Sequence, residues 1–206
     1  ITFLDNELFI IDADLDDLQS ILTIIPENAD VLAIAPHESG LQKTRDFLKR
    51  ENKIFSSIHI ISHGSSSQFN IGSDIVSGTT AINQRSIWET IGNSLSENGD
   101  ILIYACEFAS DDDGRTTLSL LSSITGADFA ASDDMTGTSG DWELEINTGA
   151  IEAQALAVER YEHDLGNGAP SVLVPGLVSG VEGDFTSALT IDAATSNLMD
   201  RVSDPD

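Results

Sequence analysis

Two short stretches carry the side chains best suited to covalent chemistry. Ile58-His59-Ile60-Ile61-Ser62-His63-Gly64 ends an apolar run on an imidazole and a glycine, and Ile101-Leu102-Ile103-Tyr104-Ala105-Cys106 ends another on the chain's sole cysteine. A thiol needs a nearby base or cation to become a thiolate, and a histidine can then protonate a leaving amine. Gly64, with no Cβ, lets its amide approach a substrate carbonyl closely; with the amide of Cys106 it can form an oxyanion hole. Singly these signals are weak, because a lone cysteine in a strand often only packs and a lone histidine often lies at the surface or satisfied in a core. Their position at equivalent ends of successive apolar strands, with glycine directly after the histidine, favours the catalytic reading.

The surrounding pattern supplies the elements that must hold them. Leu8 to Ile11 is an apolar run before Asp12, and Leu15, Leu18, Ile21, Leu22 and Ile25 then recur at helical spacing, with Asp14 as the expected N-cap and Pro26 as the stop. Val31 to Ala35 is a second strand. Ser39 with Gln42 has capping-box spacing and opens a helix through Leu41, Phe47 and Leu48. Ile58 to Ile61 follows as a third strand, and Phe69 to Val76, broken at Gly72-Ser73, reads as a β-hairpin. Ile87, Trp88, Ile91 and Leu95 line a helix expected from about Asn83. Ile101 to Ala105 is a fourth strand; Leu118, Leu121 and Ile124 form a helix stripe ended by Gly126. Ala127 to Ala131 and Trp142 to Ile146 add two more strands. Alternating strands and helices, with nearly continuous apolar strands, predict an α/β fold around a parallel sheet covered on both faces. Sites in such sheets form at the carboxyl ends of the strands near the topological switch point, beyond Ile11, Ile61 and Ala105.

This α/β domain is expected over residues 1–165. From Gly166 the texture changes: Gly166-Asn167-Gly168-Ala169-Pro170 is linker chemistry, and residues 166–206 hold short apolar runs between Gly, Ser, Thr and Asp. They read as a short β-rich segment, the start of a further module that alone buries too little surface to be stable.

Composition excludes several functions. With 206 residues, 40% hydrophobic and 16 glycines, the chain is that of a packed globular protein. No apolar run reaches the roughly 18 residues of a membrane-spanning helix, so membrane insertion is not expected. Nine Lys and Arg against 35 Asp and Glu give a net charge of −26, which repels phosphate backbones and argues against nucleic acid. Five of the nine basic residues, Lys43, Arg45, Lys49, Arg50 and Lys53, fall on one helix, expected to be a solvated face or to pair with the protein's own acids. One cysteine permits neither an internal disulfide nor a multi-cysteine zinc site. The chain opens at Ile1, without initiator Met or signal peptide, and is expected to be a piece of something longer.

A hydrophobic strand ending in Ser-His-Gly, followed some forty residues later by one ending in Ala-Cys, resembles the clan CD cysteine peptidases, such as caspases, legumain, gingipains and the self-cleaving protease domains of bacterial toxins. The wider pattern is similar to an uncharacterised domain of giant bacterial surface proteins and adhesins, typically followed by cadherin-like or calcium-binding repeats. It is carried by Ile-His-Ile-Ile-Ser-His-Gly (58–64), Gly-Asp-Ile-Leu-Ile-Tyr-Ala-Cys (99–106), Thr-Gly-Ala-Asp-Phe-Ala-Ala-Ser (125–132) and Gly-Asp-Trp-Glu-Leu-Glu (140–145). The resemblance implies a caspase-like three-layer sandwich with a mostly parallel sheet of about six strands. It also implies His63 as general acid/base, Cys106 as nucleophile, Gly64 in the oxyanion hole, and hydrolysis of a polypeptide substrate, the chain's own included. No cofactor is required for that chemistry. The implied setting is secreted or at a bacterial cell surface, with further repeats of the same long protein as partners.

Tyr104 stands where caspases have a polar pocket-former, so their preference for Asp does not transfer. Positions that line the primary pocket in that clan fall here on Asp12 and Asp14, and on Ser132, Asp133 and Asp134. Carboxylates in a pocket select a cation, which leans the expectation toward Arg or Lys before the scissile bond; the same acids could equally cap helices and turns, and Tyr104 could equally pack in the core. Arg160 and Arg201 are then candidate self-cleavage sites, and Asn167 is one under a legumain-like pocket. Asp12-x-Asp14-x-Asp16-Asp17 lacks the Gly and closing Glu of a calcium loop, whereas Asp111-Asp112-Asp113-Gly114 fits either calcium or a helix start. Glu182, Asp204 and Asp206 resemble the calcium-binding acids of cadherin-like repeats, so Ca2+ is the ion to expect. His37, His59 and His163 have no partners in sequence for zinc. A non-catalytic module for adhesion or presentation is the alternative, and an acyl- or thioester-forming enzyme a third.

Overall fold

In this computed structural model, residues 6–158 and 161–166 are described. The chain divides into two compact units, Ile1–Gly168 and Ala169–Asp206. All described residues belong to the first, so the β-rich segment expected over 166–206 lies, beyond Gly166, outside the described residues. The same is true of Arg160, Asn167, Glu182, Arg201, Asp204 and Asp206.

The first crossover is β1 (Glu7–Asp12), α1 (Leu18–Leu22) and β2 (Asp30–Ile34). Next come α2 (Gly40–Glu51), β3 (Phe55–Ile61) and a small three-stranded antiparallel sheet of β4 (Gly64–Ser65), β5 (Gln68–Ile71) and β6 (Asp74–Val76). The chain continues through α3 (Gly78–Asn83), α4 (Arg85–Gly92), β7 (Leu95–Tyr104), α5 (Asp112–Thr125), β8 (Asp128–Ala131) and β9 (Ile146–Asn147). The main sheet has six strands in the order β2-β1-β3-β7-β8-β9, all parallel except the β8–β9 pair. The chain crosses from β1 outward to β2 and then back past β1 to β3, so the switch point lies between β1 and β3. This mostly parallel, helix-flanked sheet is the α/β architecture expected, and it is compatible with a caspase-like sandwich.

Alternation along the strands divides the core into two layers. Leu8, Ile10, Ile58, Ile60, Ile101, Ile103 and Ala105 face α2, α4 and α5, which contribute Leu41, Leu48, Trp88, Ile91, Leu118 and Leu121. Phe9, Ile11, Ile61, Leu102, Tyr104 and Cys106 face the other way, under α1 and the irregular stretch that brings Trp142, Val158, Tyr161 and Leu165. One face is therefore roofed by helices, the other largely by extended chain. On that second face Phe9 and Tyr104 flank the buried His59 ring, with centroids 4.3 and 6.1 Å away. The Glu7 carboxylate lies 3.6 Å from His59 and is held below the ordinary carboxylate range by that histidine.

Several local expectations hold. Ser39 accepts from the Gln42 amide at 3.3 Å as the N-cap of α2, and Gly126 ends α5 in the left-handed region at φ 76. Phe69–Val76 is a hairpin turning at Gly72 and Ser73. Four of the five basic residues of α2 and its end, Lys43, Arg45, Arg50 and Lys53, pair with local acids, Lys53 with Asp30 at 2.9 Å and Lys43 with Glu38.

Others need correction. Asp14 does not cap α1: the chain first turns at Asp12–Leu15, buries Leu15, and starts a shorter helix after Asp17, whose φ is 44. The helix expected from about Asn83 is α4, but it stops at Gly92, so Leu95 opens β7 instead of extending the helix face, and a separate short helix, α3, precedes it. Trp142 is not in a strand; its ring packs on Tyr104 and Tyr161 instead, and only Ile146–Asn147 pair with β8.

The loop after Cys106 is anchored by the start of α5. Asp111 accepts from the Gly114 amide at 2.8 Å and from the hydroxyls of Ser66 and Ser67; these bonds hold its carboxyl down to about 2. The acid run 111–113 thus serves as a helix start. Gly114 fits against that loop so closely that a Cβ there would lie 1.9 Å from the Phe108 carbonyl oxygen. Gly114→Ala is expected to cost about 1–3 kcal/mol in urea unfolding through overpacking; an unchanged midpoint would contradict this packing.

Candidate active site

The register of two central strands sets the site. β3 and β7 are adjacent and parallel, with Ile61 opposite Tyr104 as the last pair. His63 and Cys106 each follow two residues later, so both leave the sheet at the same level, one strand apart, a spacing of about 4.8 Å. The period of two gives His63 the parity of Ile61 and Cys106 that of Tyr104, which share the less helical face. The Ser62 amide donates to the Tyr104 carbonyl at 3.1 Å and carries the pairing one residue further.

Both groups meet the same short piece of chain. His63 Nδ1 lies 3.0 Å from the Gly166 carbonyl oxygen, and since a carbonyl can only accept, Nδ1 carries the proton. The Gly64 amide donates to the Leu165 carbonyl at 3.0 Å. A Cβ built on Gly166 would stand 3.8 Å from Cys106 Sγ, so that residue lies directly over the sulfur. Gly64 itself has no room for a side chain: a Cβ would come within 2.7 Å of Ala105 Cβ and 2.8 Å of the Cys106 carbonyl oxygen. The close approach expected of this glycine is therefore made to the cysteine strand as well as to Leu165.

Cys106 is fully buried. Its thiol donates to the Thr136 carbonyl at 3.4 Å and accepts from the Thr136 amide at 3.2 Å. Burial pushes the thiol up to about 11, opposed by the Thr136 amide, so the sulfur is protonated at neutral pH. The hydroxyls of Thr136, Ser62 and Tyr161 are buried without a hydrogen-bond partner among the described residues. Such groups are not confined to this site: the Thr44 hydroxyl on α2 and the Trp88 indole N–H on α4 are also buried without a partner among the described residues.

The acids expected in a specificity pocket do not gather at one point. Asp12, at the end of β1, is 6% exposed and accepts from the Gly72 amide at 2.6 Å; Asp14 is exposed. Ser132 and Asp134 follow β8, three strand spacings or roughly 14 Å from β1 across the sheet. The buried Ser132 hydroxyl bonds to Asp134, whose carbonyl accepts from the Glu107 amide at 2.6 Å. Asp133 receives Arg115 at 3.5 Å. These acids brace loops on either side of the dyad strands. Tyr104 is in the core, its hydroxyl accepting from the Leu156 amide at 2.8 Å, and is no pocket wall. The residue that does enter the space beside the thiol is the fully buried Leu165. These separated acids do not form one pocket for an Arg or Lys side chain. Among the described residues, Asp134, Asp141 and Glu145 could bring three carboxylate oxygens together, but all three are exposed.

Residues 8–165 match the profile of the Domain of unknown function (DUF4347). The chain belongs to that family. No curated protein matches it. A solved chain titled "Crystal structure of a small-chain dehydrogenase" is 8% identical, with a TM-score of 0.34 over 59% of this chain and 77% of that one, too slight a likeness to carry fold or function. The DUF4347 match ends at Leu165, the residue whose carbonyl meets Gly64. In sequence Gly166 reads only as the start of a linker; nothing in its composition says that the chain returns to His63 and Cys106. Thr136, the backbone partner of the sulfur, also carried no signal, because it acts through main-chain atoms.

Asp12 gives this site a pH signature. Burial raises its carboxyl from 3.8 to about 6, against the opposing effects of the Gly72 amide and the nearby His63. A folded pKa above the unfolded one means the folded state holds the extra proton between those values, so stability falls as pH rises through them. Wild type is expected to lose stability relative to Asp12→Asn between pH 3.8 and about 6 in urea titrations, with the difference level above that range. A difference constant with pH would show that Asp12 is not buried as described.

Proposed function

We propose that this DUF4347 chain is a cysteine endopeptidase that uses a His63/Cys106 dyad, with the Gly64 amide as an oxyanion donor. The observation that carries the reading is convergence: an imidazole, a thiol and a backbone amide, from two neighbouring strand ends, all address one extended stretch of polypeptide. Peptide hydrolysis needs a nucleophile at a carbonyl, a proton donor on its leaving side and a donor for the developing oxyanion. The Ser-His-Gly and Ala-Cys motifs, similar to clan CD peptidases, support the same assignment. The likeness of the wider pattern to a domain of giant bacterial surface proteins supports a setting in a long secreted or cell-surface bacterial protein. No helix among the described residues is long and apolar enough to cross a membrane.

One observation favours a second reading. The thiol is covered and protonated, as a sulfur that only packs would be, and this suits a non-catalytic module for adhesion or presentation. A peptidyl acyloxymethyl ketone separates the two, because it alkylates a cysteine that a base activates within a peptide groove. On the purified chain, Cys106 is expected to be labelled, and His63→Ala to slow labelling by about 10²–10⁴-fold. Labelling that is indifferent to His63, or no faster than that by iodoacetamide, would support the scaffold reading.

A further inference from the structure

The orientation of residues 163–166 says more than that they cover the dyad. Leu165 is tied on both edges: its amide donates to the Thr136 carbonyl at 2.8 Å, and its carbonyl accepts from Gly64 at 3.0 Å. Asp164 bridges Gly137 antiparallel, Gly166 bridges Gly64 parallel, and the His163 carbonyl accepts from the Thr138 amide at 2.9 Å. After a bend at His163, residues 164–166 thus run between two backbones with an isolated bridge to each, the way a peptide docks in a groove. Along it, the Leu165 carbonyl sits on the amide assigned to the oxyanion. The next residue, Gly166, lies over Sγ and against the protonated ring nitrogen.

We infer that residues 163–166 occupy the enzyme's own substrate groove in cis, and that Leu165–Gly166 is the peptide bond it cuts in its own chain. The inference rests on the peptidase reading and adds to it the bond, the side of the bond on which each group acts, and the class of residue accepted. Leu165 is an apolar side chain fully buried with Ile11, Ile61, Trp142 and Tyr161, so the residue before the cut is aliphatic. Gly166 adds no side chain between the sulfur and the carbonyl.

The chemistry balances with water as the one co-reactant. The Cys106 proton passes to the imidazole as Sγ bonds to the Leu165 carbonyl carbon, and the oxyanion takes the Gly64 N–H. The Leu165–Gly166 C–N bond then breaks as the imidazolium gives a proton to the Gly166 nitrogen, which leaves as an amine. Water hydrolyses the Leu165 thioester, releasing the carboxylate and restoring the thiol.

Intact-mass spectrometry of the purified 206-residue chain, followed over time, tests this, with the acyloxymethyl ketone run in parallel. The expected result is a pair of fragments, 1–165 and 166–206, whose masses add to that of the intact chain plus one water. They should be absent from Cys106→Ala and reduced at least 100-fold in rate by His63→Ala, with circular dichroism confirming that both variants are folded. Cutting at another bond that needs Cys106, or His63-dependent probe labelling while 165–166 stays intact, overturns the assigned bond and leaves the peptidase reading standing. No cutting together with His63-independent labelling overturns both.

Discussion

The site depends on one constraint: two parallel strands paired in a fixed register. Because Ile61 faces Tyr104, residues two steps beyond each must emerge level with one another. A slip of one residue in either strand would turn His63 or Cys106 to the opposite face, among the residues packed on α4 and α5. That register is secured by burial. Ile58, Ile60, Ile61, Ile101, Leu102, Ile103 and Tyr104 are all at most 1% exposed, so a slip would leave apolar chains without their partners on both faces at once. His63 and Cys106 are therefore positioned by the most deeply buried part of the molecule, as the proposed catalytic role requires.

The two faces of the sheet have different tasks. Helices α2, α4 and α5 cover one with regular, self-satisfied backbone. The other is covered mainly by extended chain, whose backbone groups must find partners outside themselves. They find them on the sheet and its loops: Asp100 receives the Glu152 and Ala153 amides at 2.8 Å, Tyr104 receives the Leu156 amide, Thr136 receives the Leu165 amide, and Gly64 donates to the Leu165 carbonyl. The chain is stitched along this face until it reaches the strand ends, and the last stitches are those on the dyad. Covering the sulfur excludes water from it, which raises the thiol's pKa and keeps it protonated at neutral pH.

Much of this was legible in residue order. Apolar runs at β1, β2, β3, β7 and β8 and the intervening helical stripes define the sheet, and the strand-end motifs single out His63, Gly64 and Cys106. What was not legible is long-range backbone pairing. Nothing in Trp142 to Ile146 distinguishes a ladder strand from a chain held by stacking on Tyr104 and Tyr161, because both need the same aromatic and β-branched residues. Asp12 and Asp14 read alike, yet one is buried on the Gly72 amide and the other exposed. Leu165 and Gly166 were hidden for the same reason: their partners Thr136, Gly64 and His63 lie up to 103 residues upstream, and the two residues meet them through their own main-chain atoms, which every sequence shares.

The placement of residue 166 over the sulfur underlies the whole account, and a cross-link reads it directly. A Cβ at that position would stand 3.8 Å from Cys106 Sγ, with only the flexible end of Met135 at 3.3 Å to yield, close to the reach of a disulfide. Gly166→Cys, oxidised mildly and examined by mass spectrometry, is predicted to lose two hydrogens within one chain and to tie 106 to 166 in the proteolytic map. Two thiols that both remain free under conditions that oxidise the unfolded chain would show that this backbone does not lie on the dyad, and the account would fail with it.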